Sequence, residues 1–233
     1  MSNKVSKLLK RIKDGDWNYL RKRLLPRGNP ILYIGSQLVF ELTDTEKFNK
    51  LYTLVNKMCD HDIKIIQDKD VPQLCATFPE SAELFKRRFA EGHKKCYVSL
   101  KNGEMTAHLW VTEPQMEYFN TNSLWKFYSG VTDAIWCFDG YVKPEHRMRG
   151  LFPYLMGAIR NDYLTKGYRT QFGETDANND MSLNTHLKVG YEIIWRITIV
   201  SILGLKIYFA RNEQSGNKKI SFRYALNIKN RVL

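Results

Sequence analysis

The chain has 233 residues, 43% of them hydrophobic and 13% aromatic, which suffices for one large or two small domains and excludes a disordered chain. Its formal net charge is +12, and residues 1–30 set nine Lys/Arg against Asp14 and Asp16, supplying +7 of that total. Such an excess suits an anionic partner, whether a cofactor phosphate, a membrane surface or nucleic acid, and it is equally met in a merely soluble basic protein.

Residues 4–25 read as a basic helix. Val5, Leu8, Leu9 and Ile12 share one face at helical spacing, and eight Lys/Arg fall among these residues. Such a helix either lies on a membrane surface or packs on the domain. The N-terminus lacks the apolar core of a signal peptide. The four cysteines (Cys59, Cys75, Cys96, Cys137) form no CxxC, so free thiols in a reducing compartment are expected. The longest apolar stretch, Ile193 to Phe209, is broken by Arg196 and Lys206 and is too short and charged to span a bilayer. These features together predict a cytoplasmic protein.

After the breaker "PRGNP", "ILYIG" and "QLVFELT" read as two short strands. Thr43 and Glu46 form a capping box for a helix through about Met58. Residues 1–59 are thus expected to form a basic N-terminal extension, and residues 60–233 a catalytic domain. In the latter, "IKIIQ" is a strand, "VPQLCATF" a short helix, and "SAELFKRRFAEG" a helix closed by Gly92. "KCYVSL" and "MTAHLWVT" are strands joined by an Asn-Gly turn. An aromatic-rich connection leads to the strand "AIWCFDGYV", then a helix from Gly150 to Lys166. "TQFGET" is a strand, "DMSLNTHLKV" a helix, and two strands about Gly204 close the pattern. The order β, α, α, β, β, β, α, β, α, β, β predicts a mixed α/β fold of α+β type, with a largely antiparallel sheet flanked by helices.

The stretch "VKPEHRMRGLF" carries the strongest chemical signal. It takes the chain from a strand end at Val142 to a helix start near Gly150. The first N–H groups of a helix lack intrahelical partners and carry the positive end of its dipole, so such a place binds phosphate. Gly150 lets backbone approach an oxygen closely. Arg147 and Arg149 add charge where it disfavours the helix alone, so an anion there would offset the cost. An exposed basic turn is the plainer alternative.

These residues resemble the acyl-CoA-binding motif of the GNAT superfamily of N-acyltransferases, in the form Arg147-Met148-Arg149-Gly150-Leu151-Phe152. Phe152 stands where the family has a small residue, so its N–H remains available and its side chain is expected to point away from the cofactor. Downstream, "NDMSLNTHLKVGY" resembles the family's Asn-x-x-Ala-x-x-Leu-Tyr-x-x-x-Gly-Phe segment, with Asn179, Ser182, Thr185, His186, Gly190 and Tyr191 in register. The resemblance covers about residues 60–211 and implies a GNAT-like fold with acetyl-CoA as co-substrate and no metal. It also implies that the pantetheine arm lies between two splayed strands, pairing with backbone around Tyr141 and Val142. His186 stands where the family places its acid, and Asn179, with Ser182, would lie along the cofactor. The positions of the family's base are held by Phe138 and Trp136, which cannot act. Asp139 then has the best case as base, because a mid-strand carboxylate needs a reason, with Glu174 and, more weakly, Asp133 behind it. A hydrogen-bonded residue at a bulge beside Gly140 is the alternative for Asp139. Trp110, Trp125 and Trp136 either line an acceptor pocket or pack in the core.

The resemblance therefore implies transfer of an acetyl group from CoA to a small primary amine, an amino sugar of surface-polysaccharide metabolism being favoured. The alternatives are a protein or peptide N-acetyltransferase and a non-catalytic acyl-CoA-binding module that recruits partners. Nucleic acid is not an expected partner, because charge alone supports it.

Overall fold

The computed structural model describes residues 32–92, 94–113, 131–202 and 205–224. The basic helix expected over residues 4–25 lies outside them. The chain divides into two compact units, Leu38–Ile194 and a second that contains residues 32–37 and 195–224; it passes between them within two strands.

The larger unit begins in strand β1 (Leu32–Leu42). The sequence suggested two short strands here, yet backbone passes through Gly35 and Ser36 as one extended strand, since a lone glycine weakens a strand without ending it. Helix α1 (Thr45–Met58) follows. Its cap is Asp44, which accepts the Lys47 N–H at 2.9 Å, one residue later than the expected Thr43 box. Strand β2 (Asp62–Ile65), α2 (Val71–Thr77) and α3 (Ala82–Glu91) come next. Gly92 closes α3 at φ +75°, as its sequence requires. Strands β3 (Lys94–Lys101) and β4 (Glu104–Thr112) form the Asn-Gly hairpin, and β5 (Ala134–Val142) pairs antiparallel with β4. Helix α4 (Leu151–Thr165), β6 (Thr170–Asp176), α5 (Asp180–Lys188) and β7 (Tyr191–Ile202) complete the series. The strand order is β2-β3-β4-β5-β6-β1-β7, and the β5–β6 pair is parallel. In the smaller unit β7, β8 (Leu205–Asn212) and β9 (Lys218–Tyr224) form an antiparallel meander. The fold is thus the mixed α/β arrangement with a mostly antiparallel sheet that the sequence pattern implied. Strand β9 was not expected.

Both faces of the central strands are covered, which is why β4 is buried at every position after Glu104. One face carries Tyr97, Ala107, Leu109, Val111, Ile135 and Cys137. It packs on Leu155, Met156, Ile159 and Tyr163 of α4, which recur at helical spacing. The other face carries Trp110, its partner Phe138, and His108. It packs on Phe85 and Phe89 of α3, whose rings lie 5.4 and 5.3 Å from that of Trp110. Leu38–Met58, read from sequence as part of the extension, lie in the same compact unit as the elements from β2 onward.

Helix α1 reaches α4 through a glycine. A Cβ at Gly157 would overlap the ring of Tyr52, so the two helices approach more closely than side chains would permit. Gly157→Ala should therefore destabilise the protein, although alanine normally favours a helix by about 1 kcal/mol over glycine. Tyr52→Ala costs stability by itself, but Gly157→Ala added to it should be neutral or favourable. Urea unfolding of the two single variants and the double decides: additive losses would contradict this packing.

Candidate active site

The larger unit holds one place where strand pairing fails on both sides. On its β6 edge, β5 is paired from Ala134↔Thr170 to Cys137↔Gly173 and no further, although both strands continue. On its β4 edge the register slips. Phe138 opposes Trp110 and Tyr141 opposes His108, so Asp139 and Gly140 have no opposite number. This is a β-bulge, and Asp139 sits in it at φ +46°, a conformation non-glycine residues rarely adopt. The strands thus diverge beyond Cys137 and Gly173, leaving backbone groups of Asp139–Val142 facing an opening.

Just past β5 the chain makes a short turn of 3-10 helix, Pro144–His146, and then the start of α4. Arg147 donates Nε–H to the Val142 carbonyl at 3.0 Å, and its guanidinium lies 5.6 Å from the Tyr141 ring. Met148 takes φ +60° and Gly150 φ +76°. Met148 is 93% exposed, so it forms the rim of this loop rather than its floor. The Tyr154 N–H closes the first helical turn on the Gly150 carbonyl at 3.0 Å. Pro153 has no N–H, which leaves Leu151 and Phe152 as the donors heading α4. A Cβ at Gly150 would stand 3.1 Å from Val55 of α1, so the loop is buttressed from behind. The arrangement fits an anionic group: two arginines, two free-running amides and a helix dipole converge within a few residues.

Phe152 lies at the same helix start. Its ring lies against Gly140, where a Cβ would overlap it, and 5.7 Å from the ring of His186. It therefore covers the α4 face of the strand opening.

His186 lies beside it in the core. The side chain is 3% exposed, stacked on Phe40 at 4.6 Å, with Nδ1 2.8 Å from the Ser182 carbonyl. That contact makes Nδ1 the protonated nitrogen. Burial pushes its pKa down to about 4, with the Ser182 backbone hydrogen bond opposing. A Cβ on Gly173 would stand 3.0 Å from Nε2, so the glycine makes room for the imidazole. His186 is thus packed in the core, its ring among those of Phe40, Phe152 and Tyr191. Asn179 likewise caps α5, accepting the Ser182 N–H at 3.1 Å.

The carboxylates separate by environment. Asp139 is ion-paired with Arg88 of α3. Glu174 is half-buried and stands one residue beyond the last β5–β6 pair. Asp133 accepts the Arg169 and Thr170 N–H groups through its carbonyl at the far end of β5. Trp110 and Trp136 are fully buried, Trp136 against Phe172 at 5.7 Å, so they belong to the core; Trp125 lies outside the described residues. All four cysteines are free. Burial raises the Cys137 pKa to about 12, which leaves its thiol inert. Among the described residues no group of three His, Cys, Asp or Glu side chains is placed to hold a metal ion.

Sequence reasoning missed Arg88 and His108. Arg88 is 3% exposed, its guanidinium 4.9 Å from the Trp110 ring and 5.0 Å from that of Phe138. His108, also 3% exposed, is enclosed by Phe78, Phe85 and Tyr141. Burial lowers its pKa to about 4, against the opposing charge and backbone hydrogen bond of Asp139. The alternation of "MTAHLWVT" marks His108 as sharing a face with Trp110, but both faces of β4 are buried, so it gives no polar signal.

No family model matches the sequence, and no curated protein matches it. Solved structures do. A functionally unknown conserved protein from Staphylococcus epidermidis ATCC 12228 is 13% identical over 78% of this chain and 66% of its own, with a TM-score of 0.51. The aminoglycoside N-acetyltransferase AAC(6')-Iy, solved with CoA, is 16% identical over 56% of this chain and 91% of its own, at TM-score 0.44. A GNAT-family acetyltransferase from Colwellia psychrerythraea is 11% identical over 73% and 56%, at TM-score 0.49. At these identities the likeness concerns the fold alone.

Two buried neutral histidines make stability depend on pH. His108 and His186 titrate at about 4 when folded and near 6.5 when unfolded. The unfolded chain therefore binds more protons between these values, and stability rises with pH across that window. It is fully present above about pH 6.5 and is lost toward pH 4, each histidine contributing a slope of up to about 1.4 kcal/mol per pH unit. Urea unfolding free energies at pH 7, 6 and 5 should fall steeply, and His186→Phe should flatten the fall. An unchanged slope in that variant would contradict the buried neutral state.

Proposed function

We propose that this chain is a CoA-dependent N-acetyltransferase of the GNAT superfamily, acting on a small primary amine. One observation carries the reading: β5 parts from β6 beyond Cys137 and bulges away from β4 at Asp139–Gly140, a few residues before a basic, glycine-started helix. An extended thioester needs both features at once, backbone along its arm and an anion cradle at its diphosphate. Residues from Arg147 to Phe152 would hold the phosphates, and backbone from Asp139 to Val142 the arm, with Ser182 and Asn179 acting through helix α5. Acetyl-CoA is the donor in this reading, and no metal takes part.

In the reaction the amine nitrogen forms a bond to the thioester carbon and the carbon–sulfur bond breaks. The amine gives up a proton and the thiolate gains one. Asp139 is held by Arg88, so we assign the base to Glu174, at the mouth of the diverging strands, acting directly or through water. His186 supports the chamber by packing and does not exchange the proton. Most of the acceleration then comes from holding the reactants together. The burial of His186 and the pairing of Asp139 also suit a module that binds acyl-CoA without turnover, and the same experiment separates the two.

Acetyl-CoA should raise the melting temperature, since it binds only the folded chain. Arg147→Ala combined with Arg149→Ala should abolish the shift while leaving the unliganded melting temperature within a few degrees. Gly150→Asp should abolish it too, adding bulk against Val55 and charge at the phosphate. Glu174→Gln should keep the shift and lower thiol release from acetyl-CoA in the presence of amino sugars roughly 10²-fold. Cofactor shifts that survive both cradle changes would sink the cofactor assignment. Binding without thiol release from the unaltered protein, across amino sugars, polyamines and peptides, would favour the non-catalytic module.

The acceptor is assigned to surface-polysaccharide precursors, and the place of action to the inner face of the membrane. The basis is residues 4–25, with their apolar stripe and eight Lys/Arg, each basic residue near an anionic surface contributing about 1 kcal/mol. Among the described residues no helix is long and apolar enough to cross a membrane. The full chain should sediment with anionic vesicles at low salt and be released at high salt. A chain lacking residues 1–25 that is still folded should stay in solution. Equal behaviour of both would remove the membrane from this reading and leave a soluble amine as acceptor.

A further inference from the structure

Asp139 combines two features that a structural carboxylate rarely shows together. It adopts φ +46° in the middle of a strand. Asn102, another non-glycine residue with positive φ, sits in the Asn-Gly hairpin turn, where its side chain suits that conformation. No tight turn requires it at Asp139. The carboxylate is also held by a guanidinium that is itself 4% exposed and flanked by Trp110 and Phe138. A buried arginine without its partner is strongly unfavourable, so the pair forces Asp139 toward α3 and keeps it there. His108 adds a second hold. Its ring is hydrogen-bonded to the Asp139 backbone and feels the Asp139 charge, while its Nδ1 has no hydrogen-bond partner. A neutral ring that donates one proton has only one such hydrogen bond to give, and it is spent on this backbone.

The three residues come from α3, β4 and β5, and they meet at the residue where β5 is released from both neighbours. We infer that Arg88 and His108 form a clamp on Asp139 whose function is to set the bulge, so that backbone N–H groups at Asp139–Gly140 point into the strand opening and donate to the thioester carbonyl oxygen. All three are positioning residues. The chemistry is done by the amides they orient, which would stabilise the oxyanion formed as the amine adds to the carbonyl carbon. Without the clamp the strand can relax toward regular pairing with β4, turning those amides inward. This inference rests on the acyl-CoA reading of the site, and its test separates the two.

The measurement compares affinity for acetyl-CoA and for S-ethyl-CoA, a thioether of the same length without the carbonyl oxygen. Both use the phosphate cradle, so their ratio reports the carbonyl contact alone. The unaltered protein should prefer acetyl-CoA by roughly fivefold or more, the worth of one net hydrogen bond. Asp139→Ala should bring the ratio near one while S-ethyl-CoA still binds through the phosphate cradle. Asp139→Asn keeps an acceptor for Arg88 and tolerates positive φ, so it should retain most of the preference. Should Asp139→Ala fail to fold, Arg88→Leu with Asp139→Gly removes both charges together, and it too should lose the preference while still binding S-ethyl-CoA. A preference that survives in every clamp variant, or an equal loss of both ligands, overturns the clamp. If the unaltered protein binds neither ligand, the acyl-CoA reading itself falls, and the clamp's role in catalysis with it.

Discussion

The site depends on one constraint: every buried backbone N–H and C=O must be paired, and strand β5 is deprived of partners along one short run. From Ala134 to Cys137 it is an ordinary inner strand, paired with β6 and, through Trp136 and Cys137, with β4. From Asp139 it is paired with neither until Tyr141 meets His108. Asp139 and Gly140 are exposed there, so water takes those hydrogen bonds until something else displaces it. An extended ligand lying along the strand would satisfy those groups, and the basic start of α4 lies a few residues farther on.

Several other features follow from keeping that gap open. Gly140 admits the Phe152 ring on one side, and Gly173 admits His186 beside it. The two aromatic rings meet at 5.7 Å and close the α4 face of the opening without bringing polar groups into the core. His186 can do this because its one proton is spent on the Ser182 carbonyl, which lets a histidine pack like a phenylalanine on Phe40. Its low pKa is the cost of that burial. On the opposite face Arg88 stands in for an apolar side chain, its guanidinium plane lying against two aromatic rings while its charge is matched by Asp139.

Much of the fold was legible in the sequence because its local signals agree. The Asn-Gly turn, Gly92 at the end of α3 and the helical apolar spacing of α4 each specify local structure without distant help. The basic, glycine-started loop ahead of α4 was legible for the same reason: Arg147, Arg149 and Gly150 lie within four residues. What was not legible depends on contacts far apart in the chain. Arg88 and Asp139 are 51 residues apart, and no periodicity announces their pairing. Alternation reports burial but not which face meets which helix, so Trp110 and Trp136 read equally as core and as pocket. His186 occupies the position that the family resemblance gives to an acid, yet only the packing around Phe40 and Gly173 shows that it is enclosed. Strand β9 opens on the adjacent Lys218 and Lys219, and it is its pairing with β8 that marks it as a strand.

Helix α1 extends the same logic to residues that the resemblance did not cover. Val55 stands against Gly150, and Tyr52 against Gly157, about two turns farther along α4. The cradle is a run of left-handed and extended backbone that has few internal hydrogen bonds of its own, and a loop of that kind holds its shape only where neighbours confine it. Two contacts from one helix fix both the first residue of α4 and the direction of its axis, and therefore where its free amides point. Residues ahead of the stretch that the family resemblance covers thus bear on the shape of this loop. A substitution in α1 that loosens these contacts would weaken the cradle's affinity through its geometry while leaving every residue of the motif in place.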